Sequence, residues 1–246
     1  METTYDLTFV VLSIFVAIIG SYAVLNIFPS FTKKENETRF LSLTTGVLMG
    51  LGIWTMHFIG MKALTAKLEI RYDIIITILS ILPAALGASL AFYTLIPKPK
   101  QVNRPSQKRL LISALILAIS ISVMHYMGMA AMMISAKISY TSVLVILSII
   151  VAFVASYISL RYFIDFNFSP YANKQAKIFP AILMGIAISS MHYTGMLATR
   201  FIPDPTVSNK SSLLLNEYSV YGLAFYCALM LILTSLLVAI TATKTN

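Results

Sequence analysis

The sequence has 246 residues, of which 58% are hydrophobic and only 11% charged, and its mean hydropathy is +0.84. Soluble domains carry about 45–50% apolar and about 25% charged residues, so this composition excludes an ordinary water-soluble fold. The formal net charge of +9 would favour a nucleic-acid partner in a soluble protein. Here the basic residues lie between apolar segments, so they indicate membrane topology and contact with lipid headgroups, and a nucleic-acid partner is excluded. The single cysteine, Cys227, excludes an intramolecular disulfide and a Cys-rich metal site.

Apolar runs of about twenty residues, the length that crosses about 30 Å of hydrocarbon, predict seven membrane-spanning helices. Pro83 and Pro180 fall inside or at the start of a run, where bilayer helices tolerate proline as a kink or a first-turn residue. The sequence therefore predicts an all-α, multi-pass membrane protein that forms one module over residues 1–246. In chain order the predicted spans are 7–28, 40–61, 74–96, 110–133, 140–163, 178–199 and 218–242.

The basic residues predict the orientation of these spans. Short loops on the cytoplasmic side carry an excess of Lys and Arg. With the N-terminus outside, twelve Lys and Arg residues fall in inner segments and six in outer segments. We therefore predict an N-out, C-in topology with seven crossings of the lipid bilayer.

The chain repeats itself with a period of two spans. Each of its three histidines lies in a similar hexapeptide, and the histidines are separated by 68 and 67 residues. A fixed period of this kind indicates an internal structural repeat. The three hexapeptides are Met56-His57-Phe58-Ile59-Gly60-Met61, Met124-His125-Tyr126-Met127-Gly128-Met129 and Met191-His192-Tyr193-Thr194-Gly195-Met196.

A weaker marker keeps the same spacing in the span before each hexapeptide. Ser21, Ser89 and Ser156 each lie 36 residues before the corresponding histidine. Because one period contains two crossings, the three copies run in the same direction, as parallel repeats about an axis along the membrane normal. The predicted repeats cover about 7–72, 73–139 and 140–210, and a seventh helix at about 218–242 stands outside them.

The topology also predicts that the three hexapeptides share one depth in the membrane. Predicted spans two, four and six all run from inside to outside, so each motif lies in the outer half of its helix. The next charged residue follows the histidine by five to twelve positions. At 1.5 Å per residue, the histidines lie roughly 8–18 Å below the outer interface.

The residue types of the hexapeptide favour a soft-metal site. On an α-helix the second Met lies one turn above the histidine on the same face, and the glycine opens a slot beside the imidazole. Thioether and imidazole together are typical ligands of copper, especially Cu(I), while the motif-bearing spans contain no Asp or Glu for harder ions. Haem is an alternative, because His and Met are both axial ligands. The candidate ligands are His57, Met61, His125, Met129, His192 and Met196, with Met56, Met124 and Met191 as a second set, and Gly60, Gly128 and Gly195 as helix-contact glycines.

Structural interpretations of the same residues stay open beside this one. A duplicated motif could repeat without binding a ligand, and the motif glycines could be ordinary small-residue helix contacts. Phe58 stands where the other copies have tyrosine, so a hydroxyl is not required in every copy. Trp54 is interpreted as a packing residue and Cys227 as a small buried hydrophobe.

The pattern of three motifs resembles the bacterial integral-membrane sensory domain called MHYT, after the four residues that stand at 191–194. The resemblance covers about residues 7–242, with Phe58, Ile59 and Met127 as small departures from the named motif. It implies a non-enzymatic sensor module of six or seven helices in the bacterial cytoplasmic (inner) membrane. It also implies copper bound through Met and His near the outer face, and a diatomic gas such as O2, CO or NO as the sensed ligand.

The resemblance further implies cytoplasmic output domains, which this sequence does not contain. Two alternatives follow: the output domains belong to a longer chain, or the module signals through a partner protein. Two other functions remain beside the sensor, a copper or small-solute transporter and an oligomerising scaffold without a ligand. Against transport, no Met and His station is predicted near the inner ends of the spans.

Overall fold

The computed structural model describes six stretches of the chain, and these contain eight helices. Residues described are 4–27, 35–65, 70–95, 104–167, 177–204 and 214–244. The helices are α1 (Leu7–Ile27), α2 (Glu35–Lys62), α3 (Ile74–Leu79), α4 (Ile81–Leu95), α5 (Gln107–Ala131), α6 (Ser142–Asn167), α7 (Ile178–Ala198) and α8 (Glu217–Lys244).

Six of the predicted spans are helices long and apolar enough to cross a membrane, with α3 and α4 forming one of them. In α8 the described apolar stretch is shorter, Glu217–Leu233. The chain is therefore a multi-pass helical membrane protein. The seventh crossing and the N-out orientation stay predictions.

The helices form a closed ring around a central axis. Going round the ring, α1, α2, α4, α5, α6 and α7 each pack against the next, and α7 packs against α1. The helices that carry the hexapeptides, α2, α5 and α7, are called the motif helices here, and they also contact one another across the centre. Helix α8 stands outside the ring and packs on α1 and α2.

Burial separates the motif helices from their neighbours. Within an apolar window of 18 residues in each span, 72%, 56% and 61% of the residues are buried in α2, α5 and α7, against 39%, 33% and 28% in α1, α3–α4 and α6. The less buried helices expose large apolar side chains on one face, for example Leu82, Leu86 and Leu90 of α4. Residues four apart share a helix face, so this stripe is the surface that α4 offers to lipid.

Short antiparallel strands close one end of each helix pair. Strand β1 (Thr4–Tyr5) precedes α1 and pairs with β2 (Leu64–Thr65) after α2. Strands β3 (Arg71–Asp73) and β4 (Met132–Met133) bracket the second helix pair, and β5 (Ala136–Tyr140) and β6 (Thr199–Pro203) bracket the third. Strand β7 (Leu214–Asn216) precedes α8 and pairs with β3. Each repeat is thus strand, helix, helix, strand, an addition to the predicted all-α fold.

Close contacts between helices depend on small residues. A Cβ added at Gly46 of α2 would lie 2.3 Å from the backbone of Ser89, and one at Gly50 would lie 2.4 Å from the backbone nitrogen of Ala85. Gly46 and Gly50 are four residues apart, on one face of α2. This small-xxx-small spacing lets two membrane helices bring their backbones together, and it draws α4 against α2.

The third predicted span is broken at Ser80. Pro83 has no N–H, and its ring clashes with the carbonyl four residues earlier, so α3 ends at Leu79. The indole Nε1 of Trp54 donates to the Thr77 carbonyl at 3.2 Å and to Ser80 Oγ at 3.0 Å. The Ser80 hydroxyl donates to the same carbonyl at 2.6 Å. Trp54 is therefore more than a packing residue, because it adds a second donor at backbone that the break leaves without its helical partner.

Candidate metal centre

The three histidines lie at one level, close to the strand end of the motif helices. His57, His125 and His192 are followed by five, six and six further helical residues before α2, α5 and α7 end. At 1.5 Å per residue this corresponds to about 8–9 Å from each helix end. All three side chains are buried, with at most 1% of their surface exposed.

The three imidazoles meet through the same ring atom. Nδ1 of His57 lies 3.1 Å from Nδ1 of His192 and 3.2 Å from Nδ1 of His125, and the third side of this triangle is also 3.2 Å. The rings stand almost perpendicular to one another, with centroids 5.0–5.1 Å apart. We call this arrangement the His triad.

Hydrogen bonds alone cannot satisfy the triangle. In a neutral imidazole each nitrogen is either an N–H donor or a lone-pair acceptor. With three atoms and two types, at least two must be alike, so at least one of the three contacts sets donor against donor or acceptor against acceptor. A cation that receives the three lone pairs removes this conflict.

The spacing of the nitrogens fits a bound metal. Nitrogen ligands about 2.0–2.1 Å from a tetrahedral or trigonal ion lie about 3.3–3.6 Å from one another, and the Nδ1 atoms need to separate by only a few tenths of an ångström. In the described part of the chain this cluster of potential ligands contains histidines alone, without carboxylate or thiolate. The described ligands therefore bring no negative charge to a bound metal.

The outer edge of each imidazole lies against the motif glycine of the next repeat. A Cβ added at Gly128 would lie 2.2 Å from Nε2 of His57, and one at Gly195 would lie 2.5 Å from Nε2 of His125. A Cβ at Gly60 would lie 2.6 Å from Nε2 of His192, which closes the cycle. The slot that each glycine opens thus receives the histidine of a neighbouring helix.

The Nε2 atoms carry a further constraint. They are buried, and no group among the described residues hydrogen-bonds to them. When Nδ1 of a neutral imidazole offers its lone pair, the proton resides on Nε2. Each Nε2–H then points at a glycine instead of a polar partner, so shape and not hydrogen bonding holds the ring.

An aromatic residue follows each histidine and packs edge-on against it. Ring centroids lie 4.8–4.9 Å apart for Phe58 on His57, Tyr126 on His125 and Tyr193 on His192. The two tyrosines form hydrogen bonds with serines of α6 and α1, two ring helices that carry no hexapeptide. The oxygen distances are 2.9 Å for Tyr126 with Ser148 and 2.8 Å for Tyr193 with Ser13.

A second layer of tyrosines comes from the strands. Tyr5, Tyr72 and Tyr140 are separated by 67 and 68 residues, the period of the histidines, and this spacing was the signal in the sequence that could have revealed them. They pack edge-on against Tyr193, Phe58 and Tyr126, with centroids 5.5–6.3 Å apart. Burial raises the pKa of Tyr5 and Tyr140, and that of Tyr72 well above its ordinary value. The hydroxyls above the triad therefore stay neutral.

All six motif methionines are buried on the motif helices, with at most 3% of their surface exposed. Their participation as metal ligands stays a prediction. They are Met56, Met61, Met124, Met129, Met191 and Met196.

Comparison with known proteins identifies a family. The profile of the MHYT family, described as a repeat at the N-terminus of bacterial signalling proteins, matches residues 50–112, 119–171 and 185–245. Each match begins in a motif helix six or seven residues before its histidine. No solved structure matches the chain.

The similar curated proteins are signalling proteins. YkoW of Bacillus subtilis is 36% identical over 83% of this chain, and the match covers 25% of YkoW. MucR of Pseudomonas aeruginosa, a bifunctional diguanylate cyclase and cyclic di-GMP phosphodiesterase, is 34% identical over 81% of this chain and 28% of MucR. The cyclic di-GMP phosphodiesterase NbdA of the same organism is 31% identical over 79% of this chain and 24% of NbdA. The chain thus spans about a quarter of the length of these relatives, whose named activities belong to the whole proteins.

Proposed function

The chain belongs to the MHYT family of bacterial signalling proteins, and we propose that it is a membrane-embedded input module that binds copper at the His triad. The membrane in question is the bacterial cytoplasmic membrane. The observation that carries the proposal is the triangle of three Nδ1 atoms at 3.1–3.2 Å, whose contacts hydrogen bonds between neutral imidazoles cannot all satisfy and a shared cation would.

The charge of the site favours a monovalent ion. The cost of moving an ion out of water rises with the square of its charge, and the described ligand cluster contains no carboxylate to offset a second charge. Imidazole accepts several transition metals, but buried thioethers select Cu(I). Three imidazoles with the second motif methionines, Met61, Met129 and Met196, therefore form a ligand set for Cu(I).

The protein contributes orientation and exclusion of water. Each motif glycine lets a neighbouring imidazole turn its Nδ1 toward the axis, and the burial of all three histidines keeps water away from them. Bound copper would supply an electron-rich centre for a diatomic ligand such as O2, CO or NO. Binding of such a ligand would change the coordination of the copper and so the positions of the three imidazoles. Because each histidine packs between two of the motif helices, this movement would shift the packing of α2, α5 and α7.

The test is elemental analysis with an absorption spectrum on the purified protein, beside a folded variant in which His57, His125 and His192 are all changed to Ala. We expect one copper per chain in the parent and none in the variant. A Soret band would assign the histidines to haem instead. Metal-free protein that also rejects added Cu(I), with unchanged thermal stability, would overturn the proposal and leave the motif as an architectural element.

Transport of copper or a small solute is the second candidate. It needs a path with ligands at several depths, whereas among the described residues the cluster of three histidines lies at a single level. Uptake or efflux by the protein in sealed vesicles would favour the transporter over the sensor. In the scaffold alternative, His→Ala changes alter stability or assembly alone.

A further inference from the structure

The surroundings of the His triad follow three-fold repetition except beside His57. In the other two repeats the residue after the histidine is a tyrosine, whose hydroxyl bonds to a serine within the six-helix ring. Beside His57 that residue is Phe58, which has no hydroxyl to offer. This departure lies on α2, one of the two ring helices on which α8 packs.

At this position a continuous series of ring contacts leads out of the ring. His57 packs against Phe58 at 4.8 Å, and Phe58 against Tyr72 at 5.5 Å. Tyr72 packs against Tyr221 of α8 at 6.1 Å, and their hydroxyl oxygens lie 3.3 Å apart. Phe58 and Tyr72 are fully buried and Tyr221 is 4% exposed. Edge-to-face rings in such contact move together, because a buried core has no free volume to absorb a shift.

The start of α8 is attached to the same place by two further contacts. Strand β7, which leads into α8, pairs with β3 so that Leu215 lies opposite Tyr72. The ammonium of Lys62, the last residue of α2, lies 5.4 Å from the ring centre of Tyr218 and 5.0 Å from that of Tyr221. Cation–π contacts of this length are attractive. The first turn of α8 is therefore tied to the end of the helix that carries His57.

We propose that α8 responds to the state of the His triad through His57, Phe58 and Tyr72, and not through His125 or His192. The equivalent aromatic columns run from His125 through Tyr126 to Tyr140 and from His192 through Tyr193 to Tyr5. Among the described residues, neither Tyr140 nor Tyr5 makes a ring contact with α8, and the hydroxyls of Tyr126 and Tyr193 bond to Ser148 and Ser13 within the ring. The inference rests on the proposed function for the event that alters the triad, which is copper or ligand binding. The series of contacts from His57 to α8 depends only on the packing. Of the three nearly equivalent histidines, only His57 then transmits a change in the triad to α8.

The first experiment uses the internal repeats as controls. Amide hydrogen exchange of residues 214–222 is followed by mass spectrometry in detergent, with and without Cu(I), for the parent and for Phe58→Leu, Tyr126→Leu and Tyr193→Leu. Copper content is measured on the same samples. We expect Cu(I) to slow exchange in the parent by about two- to tenfold, the range that one aromatic pair supports. Phe58→Leu loses this change although it binds copper, and the other two variants retain it.

A second experiment needs no metal. Exchange of the same segment is compared in metal-free His57→Ala, His125→Ala and His192→Ala. Faster exchange in His57→Ala alone supports the route, whereas equal effects in the three variants overturn it. Parent protein that binds no Cu(I) would refute the proposed function but leave this comparison decisive. Copper binding with the same response of α8 in all three leucine variants would refute the route and leave the proposed function intact.

Discussion

A substitution at a motif glycine in one repeat should disturb the histidine of another repeat. In Gly128→Ala the new Cβ would lie 2.2 Å from Nε2, 2.7 Å from Cδ2 and 3.2 Å from Cε1 of His57. Non-bonded carbon and nitrogen atoms stay about 3.5 Å apart, so the imidazole must move by about 1 Å. The clash is with a side chain, so the helices can keep their packing while the ring of His57 is displaced.

The displacement exceeds what a metal site tolerates. Ligand distances of a working site fall within about 0.2 Å of their ideal values, and disturbing the groups that orient a ligand typically costs 10–100-fold in metal affinity. We expect Gly128→Ala to weaken Cu(I) binding by at least about tenfold, measured by competition with a chromophoric Cu(I) chelator. Overpacking should also lower the free energy of unfolding by about 1–3 kcal/mol.

The matched control is Gly222→Ala in α8, where no described atom lies within 4 Å of the added Cβ. Replacing glycine by alanine in a helix interior is favourable by about 0.8–1.0 kcal/mol, so this control should gain stability and keep its copper affinity. The two substitutions should therefore change the free energy of unfolding in opposite directions. Gly128→Ala protein that is folded and binds Cu(I) within twofold of the parent would refute the geometry assigned to the triad.

Three other expectations concern stability and are checked by thermal unfolding in detergent. Trp54→Phe should cost about 0.5–1.5 kcal/mol, because it removes the indole hydrogen bond at the break between α3 and α4 while the Thr77 carbonyl still accepts from the Ser80 hydroxyl; an unchanged midpoint would count against that role. Gly50→Ala should destabilise more than Gly128→Ala and reduce the folded yield, since its Cβ meets the backbone of Ala85 and not a movable side chain; equal stability of the two variants would contradict this. Cu(I) at about one hundred times its Kd should stabilise the parent by about 2.7 kcal/mol and leave His125→Ala unchanged; stabilisation of both would place the copper elsewhere.

Much of the site was predictable because its residues recur. The spacing of His57, His125 and His192 predicted parallel repeats, and parallel repeats require the three histidines to lie at one depth. The same spacing carries Tyr5, Tyr72 and Tyr140. Those tyrosines are harder to recognise, because tyrosine is frequent at membrane interfaces and a lone aromatic shows nothing of its neighbours.

Some features have no local pattern in the sequence. Strands of two or three residues are too short for alternation to show, and they depend on two distant segments that the helices bring together. The break at Ser80 follows from Pro83, but one of the donors to its backbone, Trp54, comes from another helix. A propensity within one segment does not show which side chain of a second segment will lie beside it.

The sequence by itself determined the helices, their repetition and the presence of three histidines in one register, because hydrocarbon thickness and helical rise act along a single chain segment. Only the tertiary structure decided that the imidazoles meet through Nδ1 and that each Nε2 rests on the glycine of the next repeat. It also decided that α8 packs beside His57 and not beside its two equivalents. These contacts join segments about 67 residues apart or more. Close packing selects them by the complementary shapes of two helices, and the sequence of one helix does not contain that information.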